Sequence, residues 1–375
     1  MAARIYLMSL LSRFWGEWFK SYGDTDFITG IRAFAILSVI LIHSGGAGLR
    51  YFGWYGNNLA NLGAMGPCIF FVISGYSVSV SYEKSSCYLS FLKNRILRIA
   101  PLYYFWIVVF ILLFQGVGYW GERYGASLNF YNLLMHISFL SFADYRVANS
   151  ILGVEWSLSI EVFWYIFLPA IILVMRSKTS VCIMLITSWL LFTISLIILK
   201  SYSSPNNDDV MIAYYWTPFP YFFSFCAGVA AYRVRSWWRF SGLSADIALL
   251  LSITLILLYP IMERYSVNKI IDKPVLFSML TMVIISVGNK DGHILRSLLC
   301  NKVSIFIGSI SYSLYLSHYV VIFLVGPYLT EFKENSIWHF IIFLLISIIG
   351  SVFTYILIER VLTDKIKHFI DSRMK

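Results

Sequence analysis

The stretch GIRAFAILSVILIHSG, residues 30–45, determines how the rest of the sequence is interpreted. It is strongly apolar, yet it carries an arginine, Arg32, and a histidine, His43. A helix that crosses a bilayer needs about 20 mostly apolar residues, and ionisable side chains within such a helix are costly to insert. The stretch therefore predicts a membrane-spanning helix in which two ionisable side chains are kept for a reason.

The composition of the whole chain indicates a polytopic membrane protein. Hydrophobic residues make up 59% of the 375, only 13% are charged, and the mean hydropathy is +0.74. Soluble domains are nearer half apolar and about a quarter charged. We predict an all-α fold with about ten membrane-spanning helices, near residues 29–47, 61–81, 97–117, 154–175, 181–199, 212–232, 244–262, 273–288, 303–325 and 337–359.

Lysine and arginine are distributed unevenly between the two sides of these predicted spans. The segments on one side carry 20 of the 29, the loops on the other side carry eight, and Arg32 lies within the first span. Because basic residues favour the cytoplasmic side, we expect both chain termini there. The same asymmetry explains the net charge of +10 without a nucleic-acid partner.

One membrane domain is expected to occupy most of the chain. Residues 1–28 are predicted to form a cytoplasmic amphipathic N-terminal segment that lies on the membrane surface. The transmembrane domain is predicted at 29–360 and a basic cytoplasmic tail at 361–375. A weaker apolar run near 128–142 is interpreted as interfacial or re-entrant. The five cysteines are dispersed singly, which argues against a disulfide framework or a zinc site.

Arg32 and His43 are predicted to project from one face of the first helix. They are eleven residues apart, which leaves them about 20° apart around the axis and about 16 Å apart along it. One interpretation is that Arg32 reaches the headgroups while His43 hydrogen-bonds a neighbouring helix. The other is a polar track with a cation at its entrance and a titratable base at its end.

A basic cluster precedes the third predicted span. Arg95 and Arg98 are three residues apart and share a helical face, with Lys84 and Lys93 nearby. Such a cluster is often a cytoplasmic anchor only. It is also suited to a phosphorylated ligand, because the arginine fork matches phosphate geometry.

Two other predicted spans carry polar or small residues. Ser74 and Gly75 interrupt the second span, where they would permit close helix packing or the approach of a ligand. Tyr312, Tyr315 and His318 share a related face of the ninth span, where packing is the commoner role of aromatic residues.

Glu161 is predicted about one helical turn inside the fourth span. A carboxylate at that depth must be paired, hydrated or protonated. Its most economical partner would be a cation or an imidazole on another span. His43 is predicted at the same end of the bundle and would be such a partner if the two side chains are close.

Five motifs occur in order along the chain. They are R-x10-H from Arg32 to His43, FFVISGY at 70–76, RILRIAP at 95–101, WSLSIEVFWYIFLP at 156–169 and SISYSLYLSH at 309–318. In this combination the chain resembles acyltransferase family 3 of integral membrane proteins, which includes bacterial O-antigen, exopolysaccharide and nodulation-factor O-acetylases. The resemblance covers about residues 26–360.

The resemblance implies transfer of an acyl group, most often acetyl, from cytoplasmic acyl-CoA to a glycan hydroxyl on the far side of a bacterial inner membrane. It implies that Arg32 and His43 are required for activity and that Arg95 and Arg98 meet the CoA. The chain departs from the family at Val162, where a second acidic residue is common, and after Glu359-Arg360, where proline is common.

We therefore expect His43 to act as a general base, or less simply as a transient acyl carrier, with Glu161 fixing its tautomer. The donor is expected to be acetyl-CoA, with no metal, and the other partners a glycan and membrane lipids. The candidate residues comprise a catalytic set (His43, Arg32, Glu161), an acyl-CoA set (Arg95, Arg98, Arg32) and a possible lining set (Ser74, Gly75, Trp156, Tyr312, His318).

Two other classes of protein remain compatible with the sequence. A secondary transporter or flippase for an anionic or lipid-linked substrate would also use buried Arg, His and Glu. A structural or sensory membrane protein would not need a titratable track. The sequence leaves the oligomeric state, the acceptor hydroxyl and the identity of the acyl group open.

Overall fold

A computed structural model describes residues 25–202, 208–237, 240–265, 269–288, 292–329 and 336–373. These residues form helices and turns and contain no β-strand, which confirms the all-α prediction for the described part of the chain. The predicted N-terminal amphipathic segment lies almost entirely outside the described residues.

The α-helices follow one another along the chain as α1 (Asp26–His43), α2 (Gly53–Asn61), α3 (Gly66–Glu83), α4 (Tyr88–Phe114), α5 (Tyr119–Arg123), α6 (Phe130–Ile137), α7 (Tyr145–Ala148), α8 (Trp156–Val174), α9 (Lys178–Tyr202), α10 (Asp208–Tyr215), α11 (Phe222–Val234), α12 (Gly242–Tyr265), α13 (Lys269–Val287), α14 (His293–Leu299), α15 (Lys302–Ser309), α16 (Ser311–Val325), α17 (Ile337–Thr354) and α18 (Thr363–Arg373). A π-helical stretch, Tyr355–Leu362, joins α17 to α18. Short 3₁₀ turns lie at Leu49–Phe52, Leu62–Met65, Ser141–Ala143, Phe219–Tyr221 and Gly326–Tyr328.

Among the described helices, seven spans are long and apolar enough to cross a membrane. The number becomes eight if α15 and α16, which meet at a 68° bend, are counted as one broken span. Lys273–Val287 is a shorter apolar helix, and α11 has 13 residues. Each of the ten predicted spans thus has a helical counterpart, while the count of ten crossings and the cytoplasmic termini stay predictions.

The surface of the helical bundle is apolar, whereas many polar side chains are buried inside it. Leu112 of α4, Leu173 of α8 and Ile349 of α17 are exposed, while Ser317 and His318 of α16 are fully buried. A soluble protein would bury such leucines and isoleucines, but hydrocarbon solvates them well. The protein is therefore an integral membrane protein.

The weaker apolar run near 128–142 forms α6, a short helix with its polar side inward. Asn132 and His136 are fully buried, while Phe130 and Leu134 are exposed. His136 Nε2 lies 3.4 Å from a carboxylate oxygen of Glu155, which is also fully buried. This inward polar contact fixes α6 against the loop before α8. The outward apolar face of α6 fits the interfacial interpretation.

Helices α3 and α11 approach closely because glycines face each other. A β-carbon at Gly75 would lie 2.3 Å from the Phe225 carbonyl oxygen, and one at Gly228 would lie 2.0 Å from the Val72 carbonyl oxygen. Small residues permit such backbone contact between membrane helices. Gly75 therefore serves helix packing.

Replacing Gly228 by alanine is expected to destabilise the protein by about 1–3 kcal/mol, because the added methyl group overlaps the backbone of α3. Gly350→Ala is the matched control, since no atom lies within 4 Å of a β-carbon built at that position of α17. Thermal unfolding of both variants in detergent measures the effect. Equal midpoints for the two variants would contradict this account of the α3–α11 contact.

Candidate active site

A cavity of about 320 Å³ lies between α1, α3, α4, α8, α15, α16 and the π-helical stretch. Cavities of this size, from about 300 Å³ upward, are typical of small-molecule sites. The charged side chains that line it are Arg32, Arg95, Arg98, Glu161 and Glu359. Three positive and two negative charges give this space, called here the arginine cavity, an excess of positive charge.

Hydrogen bonds to α3 hold Arg32 and Arg95, and the three arginines keep N–H donors available for a ligand. Arg32 Nη2 donates to the Ser77 hydroxyl at 3.2 Å, and Arg95 Nη2 donates to the Ser77 carbonyl oxygen at 3.4 Å. Arg98 is exposed at the cavity. Within the described part of the chain, none of these guanidiniums forms an ion pair with a carboxylate. Each guanidinium has five N–H donors, so the cluster can bind an anion.

Glu161 has two hydroxyl donors. The hydroxyls of Ser74 in α3 and Tyr165 in α8 each donate to Glu161 Oε1 at 2.5 Å. The prediction that His43 is its partner is therefore wrong. Tyr165 stands four residues after Glu161, on the same helical face, so one of the two contacts is local and the other, to Ser74, joins α8 to α3.

His43 pairs instead with His318. His43 Nδ1 lies 2.9 Å from His318 Nε2, and the two ring planes are only 11° apart. His43 is exposed where α1 ends, which we call the histidine end of the bundle, whereas His318 is fully buried in α16. His318 Nδ1 faces the carbonyl oxygens of Tyr315 at 2.7 Å and Leu314 at 3.2 Å.

This geometry assigns the tautomers of both neutral rings. The carbonyl oxygens beside His318 Nδ1 can only accept hydrogen bonds, so that nitrogen carries the proton of His318. Nε2 of His318 is then an acceptor, and the proton between the rings belongs to His43 Nδ1. Nε2 of His43 is left unprotonated and is the nitrogen that can take a proton.

The histidine pair does not line the arginine cavity. Tyr315 does line it, and its ring centroid lies 6.0 Å from that of His318. The Tyr315 hydroxyl donates to the Val154 carbonyl oxygen at 3.0 Å and shares a 2.9 Å hydrogen bond with Ser157. Tyr315 therefore adjoins both the arginine cavity and the histidine pair.

The remaining predicted residues divide into two groups. Ser74 and Tyr312 line the cavity together with the predicted arginines and Glu161. Gly75 and Trp156 do not: Gly75 packs on α11, and the Trp156 ring lies 5.3 Å from that of Tyr221. Both were predicted as lining residues, and both instead belong to the packing between helices.

The cavity residues that were not predicted include Ser77, Tyr165 and Glu359. Glu359 lies in the π-helical stretch and accepts a hydrogen bond from Ser313 at 2.9 Å. Stretches of π-helix occur often at functional sites. A carboxylate at the end of the last apolar run was the available sequence signal. In the described ranges, no three His, Cys, Asp or Glu side chains form a group that could hold a metal ion.

Comparison with known proteins identifies the family. A family model described as an acyltransferase domain, acyltransferase family 3, matches residues 25–356. The chain belongs to acyltransferase family 3. The match covers all five motifs and confirms the resemblance on which the sequence analysis relied.

Two relatives are similar over most of this chain. YrhL of Bacillus subtilis (strain 168), whose name describes a provisional peptidoglycan O-acetyltransferase, is 27% identical over 358 residues, covering 89% of this chain and 54% of that protein. The O-acetyltransferase OatA of Staphylococcus aureus is 24% identical over 371 residues, covering 90% of this chain and 57% of that protein. The chain thus spans little more than half the length of either relative. No solved structure matches the chain.

Proposed function

We propose that the protein is a membrane O-acyltransferase that moves an acyl group, most simply acetyl, from acyl-CoA to a hydroxyl of a cell-surface glycan. The observation that supports this best is the arginine cavity, which is lined by Tyr315, a neighbour of the histidine pair. Membership of acyltransferase family 3 and the names of its relatives support the same reaction. Those names make peptidoglycan the first glycan to test.

The arginine cavity suits the donor. Acyl-CoA carries phosphate groups at one end and a thioester at the end of a long flexible arm. The exposed guanidinium of Arg98, with Arg95 and Arg32 deeper in the cavity, would bind the phosphates. Since lysine and arginine favour the inner side, we place this end of the protein at the cytoplasm of a bacterial inner membrane, with both termini on that side.

The histidine pair suits the chemistry. His43 Nε2 takes the proton of the acceptor hydroxyl while that oxygen attacks the thioester carbonyl. The carbon–sulfur bond then breaks, and the thiolate of CoA regains a proton from the His43 imidazolium. His318 and its two carbonyl acceptors stabilise this imidazolium, a role that a carboxylate has in hydrolytic triads.

Transfer requires the thioester to pass Tyr315. The arginine cavity is bounded by Phe70 and Tyr315, whose rings lie 5.9 Å apart, and His43 stands beyond them. The acceptor would reach His43 from the opposite direction, because this side chain is exposed at the histidine end. Donor and acceptor would therefore approach from opposite ends of the bundle.

Arg98→Lys is expected to weaken acyl-CoA binding although it preserves the positive charge. Lysine lacks the planar fork of two N–H donors, and a hydrogen bond to a charged group contributes about 1.5–3 kcal/mol. The apparent KM for acetyl-CoA should rise roughly 10- to 100-fold. Lys84→Ala removes an exposed charge from the same basic segment outside the cavity, and serves as the control. An unchanged KM in Arg98→Lys would exclude the phosphate-binding role.

The reaction itself is tested with purified protein in liposomes. Acetyl-CoA and a soluble peptidoglycan fragment are added, and the release of CoA thiol is followed with and without the fragment. We expect release that depends on the fragment, together with an ester on the fragment detected by mass spectrometry. Proton-coupled uptake without CoA release would instead support the transporter alternative.

A further inference from the structure

A cluster of aromatic and charged side chains lies outside the site described above, on the chain between α4 and α11. The rings of Tyr119, Trp120 and Tyr124 pack in sequence, with centroids 5.0 Å apart for Tyr119–Trp120 and 6.2 Å apart for the parallel pair Trp120–Tyr124. Arg123 lies over this surface, its Cζ atom 5.7 Å from the Trp120 ring. Trp216 contacts both Trp120 and Tyr124 and is buried. We call these residues the aromatic cluster.

An ion pair joins two separate segments at the edge of the aromatic cluster. Arg123 Nη2 lies 2.8 Å from Asp209 Oδ1, although both side chains are partly exposed, at 40% and 49%. The Tyr124 hydroxyl also donates to Asp209 Oδ1, at 3.1 Å. The ring of Tyr119 is 51% exposed. The exposed ring of Tyr119 and the exposed charged groups of Arg123 and Asp209 therefore share one surface.

The aromatic cluster is connected to His43 through a single residue. The Trp120 indole lies near the hydroxyl of Tyr319. The Tyr319 ring meets His43 edge-on, with centroids 5.0 Å apart. Gly153, at a φ of 84°, fits against the same tyrosine, since a β-carbon there would lie 2.7 Å from its ring. The cluster thus lies at the histidine end, near the tyrosine that packs on His43.

We propose that the aromatic cluster is the binding surface for the glycan acceptor. A sugar ring presents a face of polarised C–H groups, which an aromatic π-face attracts, and a rim of hydroxyls. Here Tyr119 offers an exposed ring, while Arg123 and Asp209 offer charged donors and acceptors for hydroxyls. A glycan bound there extends toward His43. This inference rests on the proposed function, because it assumes that a hydroxyl of the glycan is the acceptor.

Aromatic residues also gather at membrane interfaces without binding a ligand. An interfacial belt turns its rings toward lipid and needs no contact with a reactive residue. The aromatic cluster differs in two respects. Its exposed Arg123–Asp209 pair holds α5 to α10, and its Trp120 lies beside the tyrosine that packs on His43. Both features favour a ligand-binding surface near the reaction.

Tyr119→Ala tests the proposal against Tyr119→Phe, which keeps the ring. With a soluble peptidoglycan disaccharide as the probe, Tyr119→Ala should raise the apparent KM for the disaccharide about tenfold or more. Tyr119→Phe should remain close to wild type. Tyr328→Ala is the matched control, because Tyr328 is 81% exposed and follows α16 outside the cluster. The apparent KM for acetyl-CoA is measured in parallel as the internal reference.

Each outcome has one meaning. A higher disaccharide KM in Tyr119→Ala and in Asp209→Asn, but not in Tyr328→Ala, supports the binding surface. If both cluster variants have the wild-type KM for the disaccharide, the proposal is overturned, and the aromatic residues are an interfacial belt. This holds even if the variants insert less well into the membrane, because KM does not depend on the amount of protein. A wild-type protein that releases no CoA in response to any glycan would instead refute the proposed function on which the inference rests.

Discussion

Replacing His43 by alanine is expected to lower the rate of acyl transfer by about 10²–10⁴-fold, the usual contribution of a positioned general base. The protein should still insert and fold, because this side chain is exposed at the end of α1 and fills no core position. The loss should appear in kcat more than in the KM for acetyl-CoA, because His43 does not line the arginine cavity.

The measurement is CoA release by wild-type and variant proteins reconstituted at equal amounts. His368→Ala, in the exposed part of α18, controls for the removal of a histidine as such. Near-normal turnover in the His43→Ala protein would remove this residue from the mechanism. A rise in KM without a fall in kcat would mean that it contributes to donor binding instead.

The second large effect is expected at His318, which positions His43. Phenylalanine fills similar space but offers no acceptor to His43 Nδ1, so the proton of that ring is free to move to Nε2. Loss of the correct tautomer costs about 10⁴-fold in a serine protease triad. We therefore expect His318→Phe to lower kcat by about 10²–10⁴-fold, because the catalytic nitrogen is no longer held unprotonated.

Glutamine at the same position distinguishes positioning from packing. The side-chain oxygen of His318→Gln can take the place of Nε2 and accept the proton of His43, so this variant should retain much more activity than His318→Phe. The pH dependence of kcat and the ¹⁵N spectrum of labelled His43 report the protonation of its Nε2 directly. Equal losses in both variants, with an unchanged ¹⁵N spectrum, would show that His318 only fills space.

Features governed by helix periodicity were predicted well from the sequence. The apolar runs located the main helices, and the three-residue spacing of Arg95 and Arg98 predicted a shared helical face, from which both side chains line one cavity. Arg32 and His43 do lie on one helix, α1. Their separation into two environments was not predicted, because it depends on Tyr315, a residue far away in the sequence that adjoins both the cavity and the histidine pair.

The choice of partner for His43 required the tertiary structure. Glu161 was expected at the end of the bundle that holds His43, whereas His318 was predicted only to share a face of the ninth span, and no local pattern ranks these two residues as partners. Glu161 accepts a hydrogen bond from Tyr165 on its own helix, whereas His318 contacts His43 although the two residues are 275 positions apart in sequence. Hydropathy and spacing carry no information about such long-range contacts.

Packing and ligand contact also give the same sequence signal. Gly75 and Ser74 are neighbours within one apolar run, yet Gly75 contacts α11 while Ser74 lines the cavity, since successive helical residues point about 100° apart. Glu359 was overlooked as a site residue for a related reason. Its direction depends on the π-helical stretch Tyr355–Leu362, and the sequence gives no sign of that irregularity.

The most direct test of the central claim is NMR spectroscopy of the surface glycans, peptidoglycan first, from cells with and without this gene. We predict that O-acyl signals disappear from one glycan in the deletion strain. They should return with the wild-type gene and not with the His43→Ala gene, and their positions would identify both the acyl group and the acceptor hydroxyl. Unchanged O-acylation of every surface glycan in the deletion strain would contradict the account, and full restoration by His43→Ala would contradict its mechanism.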